Sequence, residues 1–250
     1  MRIAVISDIH GNCVALDAIL PDLTHNAIDR VVCLGDAVQG GPQPAEVVDR
    51  LQALSCPVVM GNADAWLLTG KDSGAEQIPE ERLRRMNDIR DWALTQLSND
   101  DQAFMSRFLL TVEFPLEHGR KLLCFHGSPK SFDDVILPTT PEADFQAMLG
   151  VYTSHVLTGG HTHMQQIRRL GVTESFYFNP GSVGFAYSHQ QTDDDFRADG
   201  WAEYAILTAE DKQVMLEFRR VPFDVQALIA IYRASGHPHV DGAIAQYQPR

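Results

Sequence analysis

Asp8-Ile9-His10 follows directly on a short apolar run, residues 3–6, and is the first place in the chain where side chains of the right type stand close together. A run of that length reads as a strand buried on both faces. In open α/β sheets ligands sit beyond the carboxyl ends of the strands, so a carboxylate and an imidazole two residues apart there can face one ion. The arrangement recurs. Residues 30–34 run into Gly35-Asp36, residues 57–60 into Gly61-Asn62-Ala63-Asp64, residues 121–125 into His126-Gly127, and residues 155–157 into Thr158-Gly159-Gly160-His161-Thr162-His163. Collected, the candidate ligands are Asp8, His10, Asp36, Asn62, His126, His161 and His163. Oxygen and nitrogen donors without thiolates suit Mn²⁺, Fe or Zn²⁺ in a catalytic site better than a closed structural zinc. Seven are too many for one ion with an open position and fit two ions sharing a bridge, an arrangement that can clamp a phosphoryl group.

The elements that must position these residues follow from periodicity and turn signals. Asn12 caps a helix with Leu16, Ile19, Leu20 and Leu23 at helical spacing, and a second helix carries Val47, Val48, Leu51 and Leu54 on one face. The first part therefore reads strand–helix–strand–helix–strand, a parallel sheet with right-handed crossovers. Residues 65–110 read as a helical insertion: a loop at 70–74, a charged amphipathic helix over 80–97, and a further helix bearing Phe104, Met105, Phe108 and Leu109. It is expected either to act as a lid or to pack plainly on the sheet. Beyond it come a hairpin (112–116 with 121–125), a helix at 141–149, and a strand at 155–157. Two further strands, 166–170 and 175–178, lead to the turn Asn179-Pro180-Gly181-Ser182. An acidic solvated loop at 188–200, a hairpin (201–208 with 213–219), a helix at 223–234 and a loose tail after Gly236 complete the chain. The second half thus reads as mainly antiparallel. Two facing sheets with helices outside, in one domain over 1–250, satisfy both halves.

Bulk properties narrow the function. The chain has 250 residues, 44% of them hydrophobic and 21% charged, the composition of an ordinary globular protein. A formal charge of −13 argues against a broad surface for a nucleic-acid polymer but leaves room for a small phosphorylated substrate, because bound cations add positive charge locally. The start of the chain does not read as a signal peptide and no apolar stretch reaches membrane-spanning length. Cys13, Cys33, Cys56 and Cys124 are scattered and read as small packing residues of a reducing compartment, so the cytoplasm is the expected location.

The ordered set Asp8-x-His10, Gly35-Asp36, Gly61-Asn62, His126 and Gly160-His161-x-His163 resembles the calcineurin-like metallophosphoesterases, in particular the small bacterial phosphodiesterase-like branch, over residues 1 to about 185. The resemblance implies an α/β fold, a two-sheet αββα sandwich with a dinuclear centre at the strand ends. In it Asp8, His10 and His163 hold one metal, Asn62, His126 and His161 hold the other, and Asp36 bridges. Two divalent ions are implied, Mn²⁺ foremost, with Fe, Zn or Ni as alternatives. A metal-held hydroxide would attack phosphorus, with Asp36, Asn62 and His126 catalytic. Asn62 and Ser182, whose turn resembles a loop beside the metals in small bacterial members, would touch substrate.

One position departs from the pattern. Many members read Gly-Asn-His in the third motif, where the His helps protonate the leaving group; this chain has Ala63. Help typically worth 10²–10⁴-fold is then missing, and leaving groups of low pKa are expected to be preferred. Asp64 is left to orient a ligand or a water. The leading expectation is a phosphodiesterase for small soluble esters, with hydrolysis of dinucleoside polyphosphates as the alternative. A protein serine/threonine phosphatase fits less well, given Ser7 and Ala63. A non-catalytic scaffold on the same fold has no need of all seven ligands. His118, His155, His189, His237 and His239 remain unassigned; Lys130 reads as a solvated lysine rather than a phosphate contact, and Phe185 and Tyr187 could stack on a base or aryl group but need no ligand as packing residues.

Overall fold

Alternate side chains of β1 (Arg2–Ile6) point to opposite faces, and both faces are covered. Ile3 and Val5 join Val32, Leu34, Leu122, Cys124, Val156 and Phe178 in one cluster, whereas Ala4 and Ile6 join Leu16, Ile19, Val48 and Leu228 in another. One strand thus lies between a second sheet and a helical layer. The computed structural model describes residues 1–71, 79–192 and 196–248.

The first sheet has the order β2-β1-β8-β9, where β2 is Arg30–Cys33, β8 is Trp201–Glu210 and β9 is Gln213–Pro222. β1 and β2 are parallel; β8 is antiparallel to both β1 and β9. α1 (Cys13–His25), α2 (Pro44–Leu54) and α7 (Val225–Ser235) cover its outer face. The second sheet comprises β3 (Val112–Pro115), β4 (Lys121–Cys124), β5 (Val156–Thr158), β6 (Gln166–Arg169) and β7 (Phe176–Asn179), in the order β3-β4-β5-β7-β6. α6 (Glu142–Leu149) covers its outer face with Phe145 and Leu149 against Leu123, Phe125, Leu157 and Tyr177. The αββα sandwich is the expected fold.

Four local expectations are corrected. Residues 57–60 form no ladder: Val58 bridges Cys33 and Val59 bridges Leu109, singly, because α3 (Asn62–Thr69) begins at once. The centre of the second sheet, β4-β5-β7, is parallel, not antiparallel; α6 supplies the crossover that returns the chain to the same end of the sheet. The tail folds as α8 (Val240–Ala245), buries Ile244, and lets the Tyr247 hydroxyl donate to the Gly184 carbonyl at 3.2 Å. The flanks of the acidic loop pack inward, with Phe196 5.6 Å from Phe185 and 5.0 Å from Tyr187, centre to centre. Residues 193–195 of that loop, and most of the 70–74 loop, lie outside the described residues.

The insertion consists of α4 (Glu80–Gln96) and α5 (Asn99–Met105), the latter opened by a capping box between Ser98 and Asp101. Ala93, Leu97 and Met105 seat it on the core cluster beneath α1 and α2. Among the described residues no helix is long and apolar enough to cross a membrane.

Candidate metal centre

Six of the seven candidate ligands lie in the turns after strands, Asn62 opens α3, and five of the seven hold a backbone conformation that L residues rarely adopt. Asp8, His10, Asp36, His161 and His163 have φ of 53°, 48°, 48°, 67° and 52°. Such left-handed residues cost about 1–2 kcal/mol each and persist where the surroundings impose them. Here the surroundings are backbone bonds: Asp8 N donates to the Gly35 carbonyl at 3.0 Å, His10 N to the Asp36 carbonyl at 2.9 Å, and Gly160 N to the His126 carbonyl at 2.8 Å. Gly61 and Gly160 allow the closest approaches. A Cβ on Gly61 would strike the Asp36 carboxylate, and one on Gly160 would strike Ser7 Oγ and Asp8 Oδ2.

The side chains converge as two adjoining trios, Asp8–His10–His163 and Asp36–His126–His161, whose donor atoms within each trio lie within 4.8 Å of one another. In the first, Asp8 Oδ1 is 3.3 Å from His163 Nε2 and 4.0 Å from His10 Nε2. In the second, Asp36 Oδ2 is 3.4 Å from His126 Nε2, and it also stands 3.9 Å from His10 Nε2 of the first. Asn62 Oδ1 lies 2.9 Å from His126 Nε2. The Nδ1 atoms of His10, His126 and His163 contact the carbonyls of Gln39, Leu34 and Phe185 at 2.9, 2.8 and 2.7 Å. Only an N–H can satisfy a carbonyl, so in each ring the inward Nε2 is the nitrogen left to take a proton or a metal ion.

That inward set fits a cation. His10 Nε2 and His163 Nε2 face each other at 3.1 Å, and buried Asp8 Oδ1 has no hydrogen-bond donor. Two lone pairs and an unmet carboxylate oxygen in a dry site are costly unless positive charge lies among them. The titration behaviour points the same way. Burial opposes ionisation of Asp36, but His126 beside it outweighs burial and holds the carboxyl far below its usual range. Burial likewise opposes protonation of His126, yet Asp36 raises it to about 9. For Asp8, burial is overcome by His163, and its pKa falls. His10 and His161 are lowered, first by burial and then by their neighbours His163 and His126.

Ser182 stands apart from this convergence. It is fully buried behind the first trio; its hydroxyl donates to the Asp8 carbonyl at 2.7 Å and accepts from Phe185 N at 2.8 Å. Asp64 braces the backbone beside the second trio. Its buried carboxylate accepts from Ala37 N and Val38 N, all at 3.1 Å, pinning the turn after Asp36. Burial, then the nearby Asp36 charge, raises Asp64 to about 7. Asn179 carries a role that residue type alone did not signal: its Nδ2 donates to the Gly160 carbonyl at 2.6 Å and to Thr162 Oγ1 at 3.0 Å, fixing the His161–His163 turn. Its place in the Asn-Pro-Gly-Ser turn was the available clue.

A cleft of about 840 Å³ opens onto His10, Asn62 and His161. One wall is the insertion, with Trp66, Lys71, Arg82, Met86 and Ile89; the other is the loop after β4, with Phe132, Asp133, Val135 and Leu137. Tyr187 and His189, stacked at 4.8 Å, close one side.

Residues 1–212 match the family model of the calcineurin-like phosphoesterase superfamily domain, and the chain belongs to that superfamily, as a hydrolase of phosphoric esters. The phosphodiesterase YfcE of Escherichia coli is 25% identical over 193 residues, 73% of this chain and 79% of that protein. An uncharacterized protein of Methanocaldococcus jannaschii is 28% identical over 240 residues, 90% of this chain and 88% of its own. In structure, the chain is similar to a metallophosphoesterase from Sphaerobacter thermophilus, with a TM-score of 0.72 and 24% identity, covering 98% of this chain and 99% of the other.

Proposed function

We propose that this protein is a dinuclear metal-dependent phosphodiesterase acting on small soluble phosphate esters. The observation that carries the reading is the position of Asp36, whose one oxygen faces a histidine of each trio, at 3.4 and 3.9 Å. Asp8, His10 and His163 would hold one divalent cation and Asn62, His126 and His161 the other, with Asp36 shared. Manganese is the first choice, with iron, zinc or nickel also suited to this donor set. Two such cations supply Lewis-acid charge at the phosphoryl oxygens and a lowered pKa for water. The chain's own contribution is preorganisation: carbonyl-anchored imidazoles, a bridging carboxylate fixed by Ala63 N at 2.8 Å, and an amide oxygen at Asn62 beside the open cleft. Ala63 offers no proton, so the leaving group departs without acid assistance at that position. The insertion over 65–110 forms part of a single domain and shapes one side of the substrate cleft. A cytoplasmic enzyme fits the dispersed free thiols.

The test is hydrolysis of bis-p-nitrophenyl phosphate and diadenosine tetraphosphate by protein loaded in turn with Mn²⁺, Ni²⁺, Fe²⁺ and Zn²⁺, beside metal analysis of the purified chain. Turnover of the diester at a stoichiometry near two supports the proposal. Inertness with every metal and ester class overturns it. On aryl esters of graded leaving-group pKa, rates should fall as that pKa rises; a flat dependence with chemistry rate-limiting removes the role assigned to Ala63.

A further inference from the structure

We propose that the substrate carries a second anionic group, a phosphate, beyond the scissile ester, and that Lys71 and Arg82, which line the cleft, receive it. This deepens the phosphoesterase reading and rests on it. Arg82, Met86 and Ile89 stand at i, i+4 and i+7 of α4 and so share one face. The same stripe continues into Ala93 and Leu97, which are buried, so the helix cannot roll it away from the cleft. The other faces are committed. Arg90 Nε donates to the Trp66 carbonyl at 3.1 Å, Asp88 pairs with His239 at 2.9 Å, and Trp92 packs on His237 at 5.1 Å.

The charge arrangement of the cleft is what points to a ligand. Several arginines of this acidic chain have carboxylate partners, Arg50 with Asp17, Arg168 with Glu142, Arg219 with Asp22 and Arg220 with Glu203 among them, while others, such as Arg84 and Arg169, form no ion pair among the described residues; what distinguishes Lys71 and Arg82 is their place in the cleft. Neither Lys71 nor Arg82 forms an ion pair among the described residues, although both line the cleft. Among the described residues that line the cleft, Asp133 is the one carboxylate. The same cleft is lined by Trp66, Met86, Ile89, Val135 and Leu137, an apolar lining that suits a ring or short carbon body. A guanidinium and an ammonium in such a cleft match a phosphate, the guanidinium in bidentate fashion. The ligand is therefore a phosphoester with an apolar or aromatic middle and a second phosphate.

Calorimetry on the Mn²⁺-loaded protein with thymidine 5′-phosphate and thymidine 3′,5′-bisphosphate reads the subsite without turnover. The second phosphate should tighten binding about tenfold. Arg82→Gln and Lys71→Gln should each lose most of that gain, Arg82→Lys should keep part of it, and Arg85→Gln, whose side chain lies beside Gly242, should keep it all. Turnover of bis-p-nitrophenyl phosphate should be unchanged in Arg85→Gln, and bound manganese should stay at the wild-type stoichiometry in every variant. Equal affinity for the two nucleotides, a preference that survives in the Lys71/Arg82 double variant, or an equal loss in Arg85→Gln overturns the subsite. Failure of the phosphoesterase reading looks different: no ester is turned over, whatever the nucleotide preference.

Discussion

The ligand cage and the helical wall that faces it across the cleft are built on opposite plans. The cage is buried, and each of its parts is fixed by backbone: left-handed turns, carbonyls under three imidazoles, and glycines pressed against two carboxylates. The wall is mostly solvated; Ala93 is the one residue of α4 that is fully covered, and polar links such as Arg90 to the Trp66 carbonyl hold the helix to α3. Chemistry that must be the same for every substrate sits where nothing can shift. Selection among substrates sits on side chains that can change without disturbing the sheets.

The contrast can be broken at several points, in decreasing order of effect. Asp36→Asn removes the shared charge and should lower kcat on bis-p-nitrophenyl phosphate by about 10³-fold or more, with little change in KM. Asp64→Ala leaves all seven ligands in place but frees Ala37 N and Val38 N; metal affinity, read by titration calorimetry, should fall about 10–100-fold. If affinity is unaffected, Asp64 is packing and nothing more.

A third variant probes the scaffold away from both regions. Asp22 accepts from the Tyr204 hydroxyl at 2.6 Å and from Arg219 Nη2 at 2.9 Å, joining α1 to β8 and β9. Asp22→Asn should cost about 1–2 kcal/mol in chemical denaturation, discounted for the partial exposure of Arg219, and leave kcat untouched. Burial works against ionisation of Asp22, but Arg219 and Tyr204 prevail and lower its pKa. Its contribution is therefore complete above the ordinary carboxylate range and disappears as pH falls through the folded-state value. Melting curves of the two proteins should converge on acidification; a gap that widens contradicts the assignment. The smallest effect belongs to the wall: Arg90→Ala should lower stability by about 1 kcal/mol and raise KM while sparing kcat. A loss in kcat would mean that wall and cage are coupled.

The convergence was legible because the candidate ligands are chemically distinctive and fall in order after apolar runs, so Asp8, His10, Asp36, Asn62, His126, His161 and His163 stand out from residue type and spacing alone. What supports them was not legible. Carbonyls of Leu34, Gln39 and Phe185 carry no side-chain signature, and a left-handed aspartate reads like any other aspartate. Asp64 reads in the sequence as a group to orient a ligand or a water, because nothing there shows that its partners are the backbone amides of Ala37 and Val38. Ser182, expected to touch substrate, has both hydrogen-bonding roles occupied at the back of Asp8. In the fold, apolar runs of three or four residues identify strands but not their direction, which is why the parallel centre β4-β5-β7 reads as antiparallel in the sequence. The wall was half legible: the amphipathic helix over 80–97 was visible, but not that its stripe Met86, Ile89, Ala93 and Leu97 is buried at one end and open to the cleft at the other.

The two glycines beside the carboxylates set a limit on how this chain can drift. At Gly61 and Gly160 even a single methyl group occupies the space of a carboxylate that the chemistry needs. At Gly61 the obstacle is the Asp36 carboxylate together with its backbone nitrogen, and at Gly160 it is the Ser7 hydroxyl with Asp8 Oδ2 behind it. Over generations of mutation these positions have no neutral neighbours, whereas Arg82 or Met86 can be exchanged one step at a time. A lineage built on this chain can therefore change what it binds far more readily than it can alter how it cleaves.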